Sequence, residues 1–456
     1  MPKSAIIYII VDFAGRFVYY DLERGATMRR KIVEYLEWWK GLGKERMPLL
    51  LYGARQTGKT YVLQEFGASH YNNSVYLNFE IEQALSSLFS DSISPKKLIP
   101  KIERYFGAKI TPGDTLLIFD EIQSCERALT SLKYFCEESP EYDVIGAGSL
   151  LGVHTSSQDF SFPVGKVITK IMYPLNFEEF LWASDKAVFT DRIESSFNND
   201  SPMEQILHEG LLELYREYLL VGGMPLAVYN YFSHDRILRY TDIQRIILDT
   251  HISDMTKYTD RTQSIKTINT YASIVPQLAK DNKKFQYKLI AKGARASLFG
   301  ESIDWLVRAG VVIKCSKFTN GSMPQSFSSD ISSFKLYMGD IGLCSYSAGL
   351  TRENLGVFDN TFLGGITENY VANMLVCNDY ELYYWESESK AEVDFAIMKK
   401  GRIIPIEVKA STNSRSLSLN SYIKKYAPEY AIRVSGRNFG FENGIKSIPL
   451  YAAYLI

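Results

Sequence analysis

The feature that most constrains this chain is an octapeptide that begins with glycine and ends in Gly-Lys-Thr. It matches the pattern G-x-x-x-x-G-K-[ST] at every fixed position, between the apolar run Pro48–Tyr52 and a helical pattern. Glycine lets successive backbone N–H groups point at one anion, and the following helix adds its positive end. The residues expected to bind nucleotide phosphates are Gly53, Ala54, Arg55, Gln56, Thr57, Gly58, Lys59 and Thr60.

Side chains of this loop and of a second apolar run have predicted chemical roles. Lys59 would contact the β- and γ-phosphates of ATP, and the hydroxyl of Thr60 would bind Mg²⁺. The run Thr115–Phe119 is followed by Asp120 and Glu121. A buried strand would bring Asp120 beside the magnesium, and Glu121 would activate the attacking water as a general base. The sequence therefore predicts ATP and Mg²⁺ as ligands and ATP hydrolysis as the reaction.

A third apolar run, Val144–Ser149, also ends in a polar residue. Ser149 is predicted to sense the γ-phosphate or the attacking water, and the alternative is an ordinary polar residue at a strand end. A positive group is also expected near the phosphates. Arg55, Lys166 and Arg261 are candidates, and the sequence favours none of them.

Length and composition describe an ordinary globular protein. The 456 residues suggest two or three domains, and hydrophobic residues make up 46% against 23% charged ones. The net charge of −1 shows no general bias towards nucleic acid or membrane. Five cysteines without a C-x-x-C spacing argue against a disulfide framework or a zinc site. A reducing, cytoplasmic compartment is therefore expected.

The N-terminal apolar run Ala5–Tyr20 requires separate treatment. It is too short for a membrane span, and Asp12 and Arg16 interrupt it. We interpret it as a short strand-like extension or as an artefact of start-site choice, with Met28 as the alternative start. The stretch after Met28 predicts a first helix whose apolar face consists of Ile32, Tyr35, Leu36 and Trp39.

Pattern changes along the chain predict its domains. Helices alternate with apolar strands at first, which indicates a parallel sheet covered on both faces. A mainly helical part follows, and then three helices before two strands, which is the order of a winged helix. The last part has an α/β pattern of its own. The predicted division is 1–27 extension, 28–174 P-loop core, 175–260 helical region, 261–340 winged helix and 341–456 C-terminal α/β domain.

A second set of candidate catalytic residues lies near the C-terminus. Glu407 and Lys409 share one face of a strand because side chains alternate along it. Asp394 on the neighbouring strand and Glu368 on a preceding helix would complete the set. The group resembles the PD-(D/E)xK nuclease core, in which carboxylates hold Mg²⁺ and lysine polarises water. No proline precedes Asp394, and the alternative is a nuclease-like fold that keeps the Glu–Lys pair for structure.

Local charge favours a polyanionic partner. The stretch Lys399–Arg437 contains nine Lys or Arg against two Asp or Glu. A basic patch beside a winged helix is typical of nucleic-acid binding. The alternative is a solvated surface without a partner. DNA or RNA is therefore one expected partner class, and a partner protein is the other.

Several motifs together resemble a known family. The P-loop, the segment Phe119–Gln123, the strand Gly146–Leu151 and the segment Pro174–Leu181 resemble the AAA-superfamily ATPase domain of uncharacterised prokaryotic ATP-binding proteins. Members have Gly-Arg at Gly165-Lys166, where lysine keeps the charge without the bidentate fork. In that group a C-terminal domain of unknown function follows. The segments that resemble this second domain are Gly222–Val228, Lys335–Leu343, Glu392–Ile397 and Ile403–Lys409.

The resemblance, together with the patterns, predicts an α/β fold. Its parts would be a P-loop AAA-like parallel sheet, a helical lid with a winged helix, and an α/β restriction-endonuclease-like domain. The leading functional hypothesis is an ATP-driven switch or motor that acts on nucleic acid or on a partner protein. One alternative is an ATP-gated, Mg²⁺-dependent DNA endonuclease. The other is a non-catalytic interaction protein that nucleotide stabilises.

Overall fold

The computed structural model describes residues 7–11, 17–21, 28–149, 163–233, 238–257, 260–319, 329–355, 360–387, 391–411 and 417–456. Strands β1 (Ile7–Val11) and β2 (Phe17–Asp21) form an antiparallel hairpin, in line with a strand-like extension. The rest of the predicted extension lies outside the described residues, as do Leu150, Leu151 and Arg415. A five-stranded and an eight-stranded sheet follow, so the predicted α/β class is confirmed.

The five-stranded sheet is entirely parallel. Its strands are β3 (Leu49–Tyr52), β4 (Asn73–Asn78), β5 (Thr115–Asp120), β6 (Asp143–Gly148) and β7 (Ile168–Ile171). The order β4-β5-β6-β3-β7 places β3 between β6 and β7. Parallel strands end at one common edge, so the residues after β3, β5 and β6 meet there.

Helices cover both faces of this sheet, as the continuous apolar strands require. They are α1 (Ile32–Gly41), α2 (Lys59–His70), α3 (Pro95–Phe106) and α4 (Glu126–Glu138). Trp39 of α1 and Phe66 of α2 pack in the apolar core of one face. Ile102 of α3 and Phe135 of α4 pack in the core of the other. The predicted first helix is present, with Ile32, Leu36 and Trp39 buried.

Helices follow over the segment 175–260, predicted as a helical region, and continue into the segment 261–340, predicted as a winged helix. The helices from Phe177 to Arg308 together form the helical region. Its helices are α5 (Phe177–Ala183), α6 (Val188–Asn199), α7 (Gln205–Val221), α8 (Pro225–Phe232), α9 (Tyr240–Lys257), α10 (Arg261–Leu278) and α11 (Ala296–Arg308). Asn176 begins α5 with a capping box: its side chain accepts from the N–H of Glu179, and the Glu179 carboxylate accepts from the N–H of Asn176.

The eight-stranded sheet is mixed, in the order β14-β15-β13-β12-β11-β10-β8-β9. Its strands are β8 (Val312–Phe318), β9 (Ser329–Met338), β10 (Tyr383–Glu386), β11 (Glu392–Lys399), β12 (Arg402–Val408), β13 (Ala431–Ser435), β14 (Gly440–Glu442) and β15 (Ile445–Pro449). The helices beside it are α12 (Ile341–Ser347), α13 (Asn360–Cys377) and α14 (Leu417–Tyr426). The hairpin β8–β9, expected as a wing, pairs through β8 with β10. The sheet therefore contains strands from both sides of the domain boundary predicted at residue 340. The division into domains, the winged helix included, stays a prediction.

One large apolar core joins the helical region to the eight-stranded sheet. It includes Tyr218 of α7, Leu306 of α11, Tyr370 of α13 and Phe395 of β11. Ala54 of the phosphate loop also belongs to it. This core therefore reaches the carboxyl edge of the parallel sheet, where the candidate site lies. None of the described helices has both the length and the apolarity of a membrane span.

Candidate functional site

The octapeptide lies between β3 and α2, which is the context that its sequence predicts. Gly58 has φ of 90°, in the left-handed region that glycine adopts without strain. A Cβ on Gly53 would lie 2.2 Å from the carbonyl oxygen of Met172, so the loop passes too close for any side chain there. Thr57 Oγ1 donates to the carbonyl of Ala54 at 2.9 Å and braces the loop from inside.

Lys59 is buried over the loop. Its Nζ donates to the backbone carbonyls of Gly53 at 2.9 Å and of Ala54 at 2.8 Å. Burial lowers the pKa of Lys59, and the charges of Glu121 and Asp120 act in the opposite direction. The ammonium therefore has neutral hydrogen-bond partners in the place where the motif predicts phosphate.

Thr60 and Asp120 meet, although they are 60 residues apart. Thr60 Oγ1 donates to Asp120 Oδ2 at 2.7 Å, and Tyr76 of β4 donates its hydroxyl to the same oxygen at 2.7 Å. Asp120 ends β5 and is fully buried. A hydroxyl and a carboxylate on adjacent elements are oxygen donors of the kind that Mg²⁺ prefers, so these residues fit the predicted ion.

Glu121 has an unusual backbone, with φ of 48°. Positive φ is uncommon outside glycine, and strained residues cluster at functional sites. Burial raises the pKa of Glu121, the charge of Asp120 adds to this, and Lys59 opposes it. Gln123 Nε2 donates to Glu121 Oε2 and orients the carboxylate. A carboxylate with a raised pKa is a stronger base, in line with the predicted role.

Ser149 follows β6 at the same edge of the sheet. It lines a small cavity together with Arg55, His251, Asp254 and Trp305. The predicted sensor thus lies between the phosphate loop and the helical region. Its role as a sensor stays a prediction.

The three candidate positive groups are placed very differently. Arg55 lies within the phosphate loop and donates from Nη1 to Asp254 Oδ1 at 2.8 Å. Lys166 precedes β7 at the amino edge of the sheet, and its Nζ lies 3.1 Å from Glu137 Oε1. That edge is opposite to the phosphate loop, so Lys166 is remote from the site of its own chain. Arg261 is the exposed first residue of α10.

Arg30 supports the loop, and no sequence pattern indicated it. It is buried, and its Nη1 donates to the Thr57 carbonyl at 2.8 Å while its Nη2 donates to the Tyr173 carbonyl at 2.8 Å. Its Nε donates to Glu179 Oε1 at 2.9 Å. The capping box that contains Glu179 can be recognised in the sequence as Asn-x-x-Glu. Arg30 itself lies 149 residues away from Glu179, so no local spacing connects them.

The predicted C-terminal residues are brought together. Lys409 Nζ lies 2.8 Å from Glu407 Oε1, and Asp394 Oδ2 accepts from the N–H of Val408 at 2.8 Å. Burial raises the pKa of Asp394, and the nearby charge of Glu368 adds to this. Among the residues that the structure describes, no three His, Cys, Asp or Glu side chains are arranged to hold a metal ion.

Two lysines that no sequence pattern indicated neutralise the negative charge of Glu368 in this cluster. Lys283, which follows α10, forms an ion pair with Glu368. Lys335 of β9 is fully buried, and its Nζ lies 3.6 Å from Glu368 Oε2. Burial alone would raise the pKa of Glu368, but the two lysines outweigh it and hold this pKa below its usual value.

Comparisons with known families divide the chain into three matches. Residues 45–181 match the family described as AAA domain. Residues 212–354 match a domain of unknown function (DUF8612), and residues 363–453 match another (DUF4143). The sequence has no significant match among curated proteins.

The solved structures that match this chain are distant from it. The Walker-type ATPase of Pyrococcus abyssi is 14% identical, with a TM-score of 0.42 over 71% of this chain and 96% of that one. ORC1 of Aeropyrum pernix, solved with DNA, is 10% identical, with a TM-score of 0.28 over 71% and 93%. The RuvB branch migration motor of Thermotoga maritima is 15% identical, with a TM-score of 0.29 over 62% and 89%. Likeness at this level establishes no shared function.

The AAA match covers the parallel sheet from just before β3 to α5. Within it lie the phosphate loop, the Thr60–Asp120 hydrogen bond and the strained Glu121. The part of the chain that matches the AAA domain is therefore the part that contains the candidate nucleotide site.

Proposed function

We propose that this protein binds ATP with Mg²⁺ at residues 53–60 and hydrolyses it. The observation that carries the proposal is the 2.7 Å hydrogen bond between Thr60 Oγ1 and Asp120 Oδ2, which joins the predicted magnesium ligands. Mg²⁺, when bound, would neutralise charge on the phosphate oxygens. Lys59 provides a buried positive charge for the phosphates, and Glu121 accepts a proton from the attacking water.

Hydrolysis would drive a switch or motor acting on nucleic acid or on a partner protein. Two features of the chain support this. The phosphate loop contacts the helical region through Arg55 and Asp254, and the helical region shares its core with the eight-stranded sheet. The basic stretch near the C-terminus also exposes Lys400, Lys424 and Lys425, which favours a polyanion.

An ATPase assay of the full chain with Glu121→Gln tests the proposal. Turnover should fall by about 10²–10⁴-fold while ATP binding is kept, because the amide cannot accept the proton. Glu141→Gln, an exposed carboxylate of the same domain, is the matched control and should behave like wild type. Wild-type turnover in Glu121→Gln would remove Glu121 from the base role.

The same assay with added DNA or RNA identifies the partner class. Stimulation by one of them favours a nucleic-acid motor, and lack of stimulation by both favours a partner protein. The non-catalytic alternative requires that the wild-type chain bind ATP without measurable turnover. A turnover that disappears in Glu121→Gln excludes it.

A DNA endonuclease gated by ATP is the second candidate. It is favoured by the 2.8 Å contact between Lys409 Nζ and Glu407 Oε1, with Asp394 on the adjacent strand. A plasmid-nicking assay with Mg²⁺ or Mn²⁺ tests it in wild type and in Lys409→Ala. Nicking that Lys409→Ala abolishes would support this candidate. Intact plasmid in all samples, with and without ATP, would reject it.

A further inference from the structure

Four alternating charges connect the phosphate loop to α9. Arg55 Nη1 donates to Asp254 Oδ1 at 2.8 Å, and Arg55 Nη2 lies 3.4 Å from Glu80 Oε2. Lys257 Nζ lies 2.6 Å from Glu80 Oε1. Asp254 and Lys257 belong to the last turn of α9, and Glu80 follows β4. Arg55 is therefore the residue of the phosphate loop that is held by the helical region through charge.

The backbone next to Arg55 touches the helical region as well. Gly310 follows α11 with φ of 72°, and a Cβ there would lie 3.3 Å from the Ala54 nitrogen. Ala54 is thus held by packing, whereas Arg55 is held by an ion pair that can exchange partners. Both Asp254 and Ser149 line the cavity that Arg55 faces.

Arg55 also lies close enough to the reaction centre to act on its charges. Burial chiefly determines the pKa shifts of Lys59 and Glu121, and the positive charge of Arg55 lowers the pKa of both. A guanidinium forms its strongest hydrogen bonds with phosphate or carboxylate, so a terminal phosphate would compete with Asp254 for it.

We propose that Arg55 distinguishes ATP from ADP by exchanging Asp254 for the terminal phosphate of the triphosphate. The inference rests on the proposed binding of ATP at residues 53–60. In the presence of ADP, Arg55 stays with Asp254 and the last turn of α9 stays attached to the loop. In the presence of ATP, Asp254 loses its nearest cation while it is mostly buried, which destabilises this turn. The identity of the nucleotide is thereby communicated to α9.

Calorimetric titration of the full chain with ADP and with a non-hydrolysable ATP analogue, both with Mg²⁺, tests the exchange. Arg55→Gln should lower the preference for the triphosphate by about 10-fold and leave ADP affinity nearly unchanged. Asp254→Asn should raise that preference, because the guanidinium then lacks its nearest carboxylate and the terminal phosphate competes only with the longer contact to Glu80. The double variant should behave like Arg55→Gln, since Asp254 acts through Arg55. Arg245→Gln, the same charge change at an exposed position of α9, is the control.

Hydrogen exchange of the α9 backbone supplies an independent measurement. In wild type, amides of the last turn should exchange faster with the triphosphate analogue than with ADP, and this difference should vanish in Arg55→Gln. If Arg55→Gln fails to fold, Asp254→Asn serves as the test. An unchanged preference for the triphosphate over ADP in that variant overturns the inference.

The remaining outcomes separate this inference from the proposed function. The exchange is overturned if Arg55→Gln prefers the ATP analogue over ADP as strongly as wild type does. It is also overturned if Asp254→Asn changes this preference in a chain that already carries Arg55→Gln. Either result leaves the proposed ATP binding intact. A wild-type chain that binds neither nucleotide overturns both.

Discussion

Two regions of this chain bury lysine and carboxylate side chains near strand ends, and their charges are neutralised in different ways. In the phosphate site, Lys59 donates to backbone carbonyls. In the C-terminal cluster, Glu368 pairs with Lys283, and Glu407 pairs with Lys409. The first region has a charge with neutral partners, whereas the second contains opposite charges in pairs.

The difference indicates which of the two regions is suited to bind a charged ligand. A buried charge with neutral partners still attracts a ligand of opposite sign, because desolvation is compensated incompletely. A buried pair has its main partner already, and removing one member leaves an uncompensated charge. We therefore expect changes in the phosphate site to affect ligand binding, and changes in the C-terminal cluster to affect stability.

Lys59→Ala should have the largest effect. Loss of two charged hydrogen bonds to phosphate, each worth about 1.5–3 kcal/mol, should weaken ATP binding by on the order of 10²–10⁴-fold. Stability without nucleotide should change by less than about 1 kcal/mol, since the ammonium is already penalised by burial. Titration calorimetry and thermal unfolding measure the two quantities. Lys97→Ala on the exposed side of α3 is the control, and an unchanged ATP affinity in Lys59→Ala would contradict the assignment.

Glu368→Gln should show the opposite behaviour. The amide keeps the shape but leaves Lys283 without its carboxylate, and the fully buried Lys335 keeps only Glu392, whose Oε1 lies 2.5 Å from its Nζ. Removing one member of a buried pair should cost about 3–5 kcal/mol of stability. Denaturant unfolding of the full chain measures this loss, and ATP affinity should stay within about twofold. Glu429→Gln breaks the exposed pair with Arg402 and should cost less than about 1 kcal/mol. Equal stability of Glu368→Gln and Glu429→Gln would show that the ion pairs of Glu368 do not stabilise the folded chain as described.

The two regions also differ in how much of them the sequence predicts. The phosphate loop is one contiguous motif, so the sequence predicts it directly. Glu407 and Lys409 are two residues apart on one strand, so the alternation of side chains predicts that they share a face. Lys283 lies 85 residues from Glu368, and Arg55 lies 199 residues from Asp254. Such pairs depend on tertiary packing and have no period or spacing. The pairing of β8 with β10 is non-local in the same way, so no spacing in the sequence indicated that the predicted wing would also pair with a strand of the eight-stranded sheet.

His251 provides a third kind of buried ionisable group, one that remains uncharged. Burial lowers its pKa to about 4, and the charge of Arg55 acts in the same direction. In the unfolded chain this histidine binds a proton near pH 6.5, whereas in the folded chain it stays neutral down to about pH 4. Protonation therefore favours the unfolded chain as the pH falls from 6.5 towards 4, and the free energy of unfolding decreases over that range. The loss is at most about 3 kcal/mol, at about 1.4 kcal/mol per pH unit. Unfolding of wild type and His251→Gln from pH 7 to 4 should show a steeper decline in wild type, and parallel curves would refute it.

The smallest effect is expected at an exposed ion pair that lies between the parallel sheet and the helix that carries Glu368. Lys170 of β7 pairs with Asp379, which follows the helix α13 that carries Glu368. The Asp379 side chain is 60% exposed, so solvent screens the pair and Asp379→Asn should cost less than about 1 kcal/mol. Asparagine also tolerates the φ of 61° at this position. ATP turnover should stay within about twofold, because the phosphate site contacts the helical region through Arg55 and Ala54 instead. A larger change in turnover would mean that the parallel sheet and α13 are coupled through this edge, and that the two regions are not energetically separate.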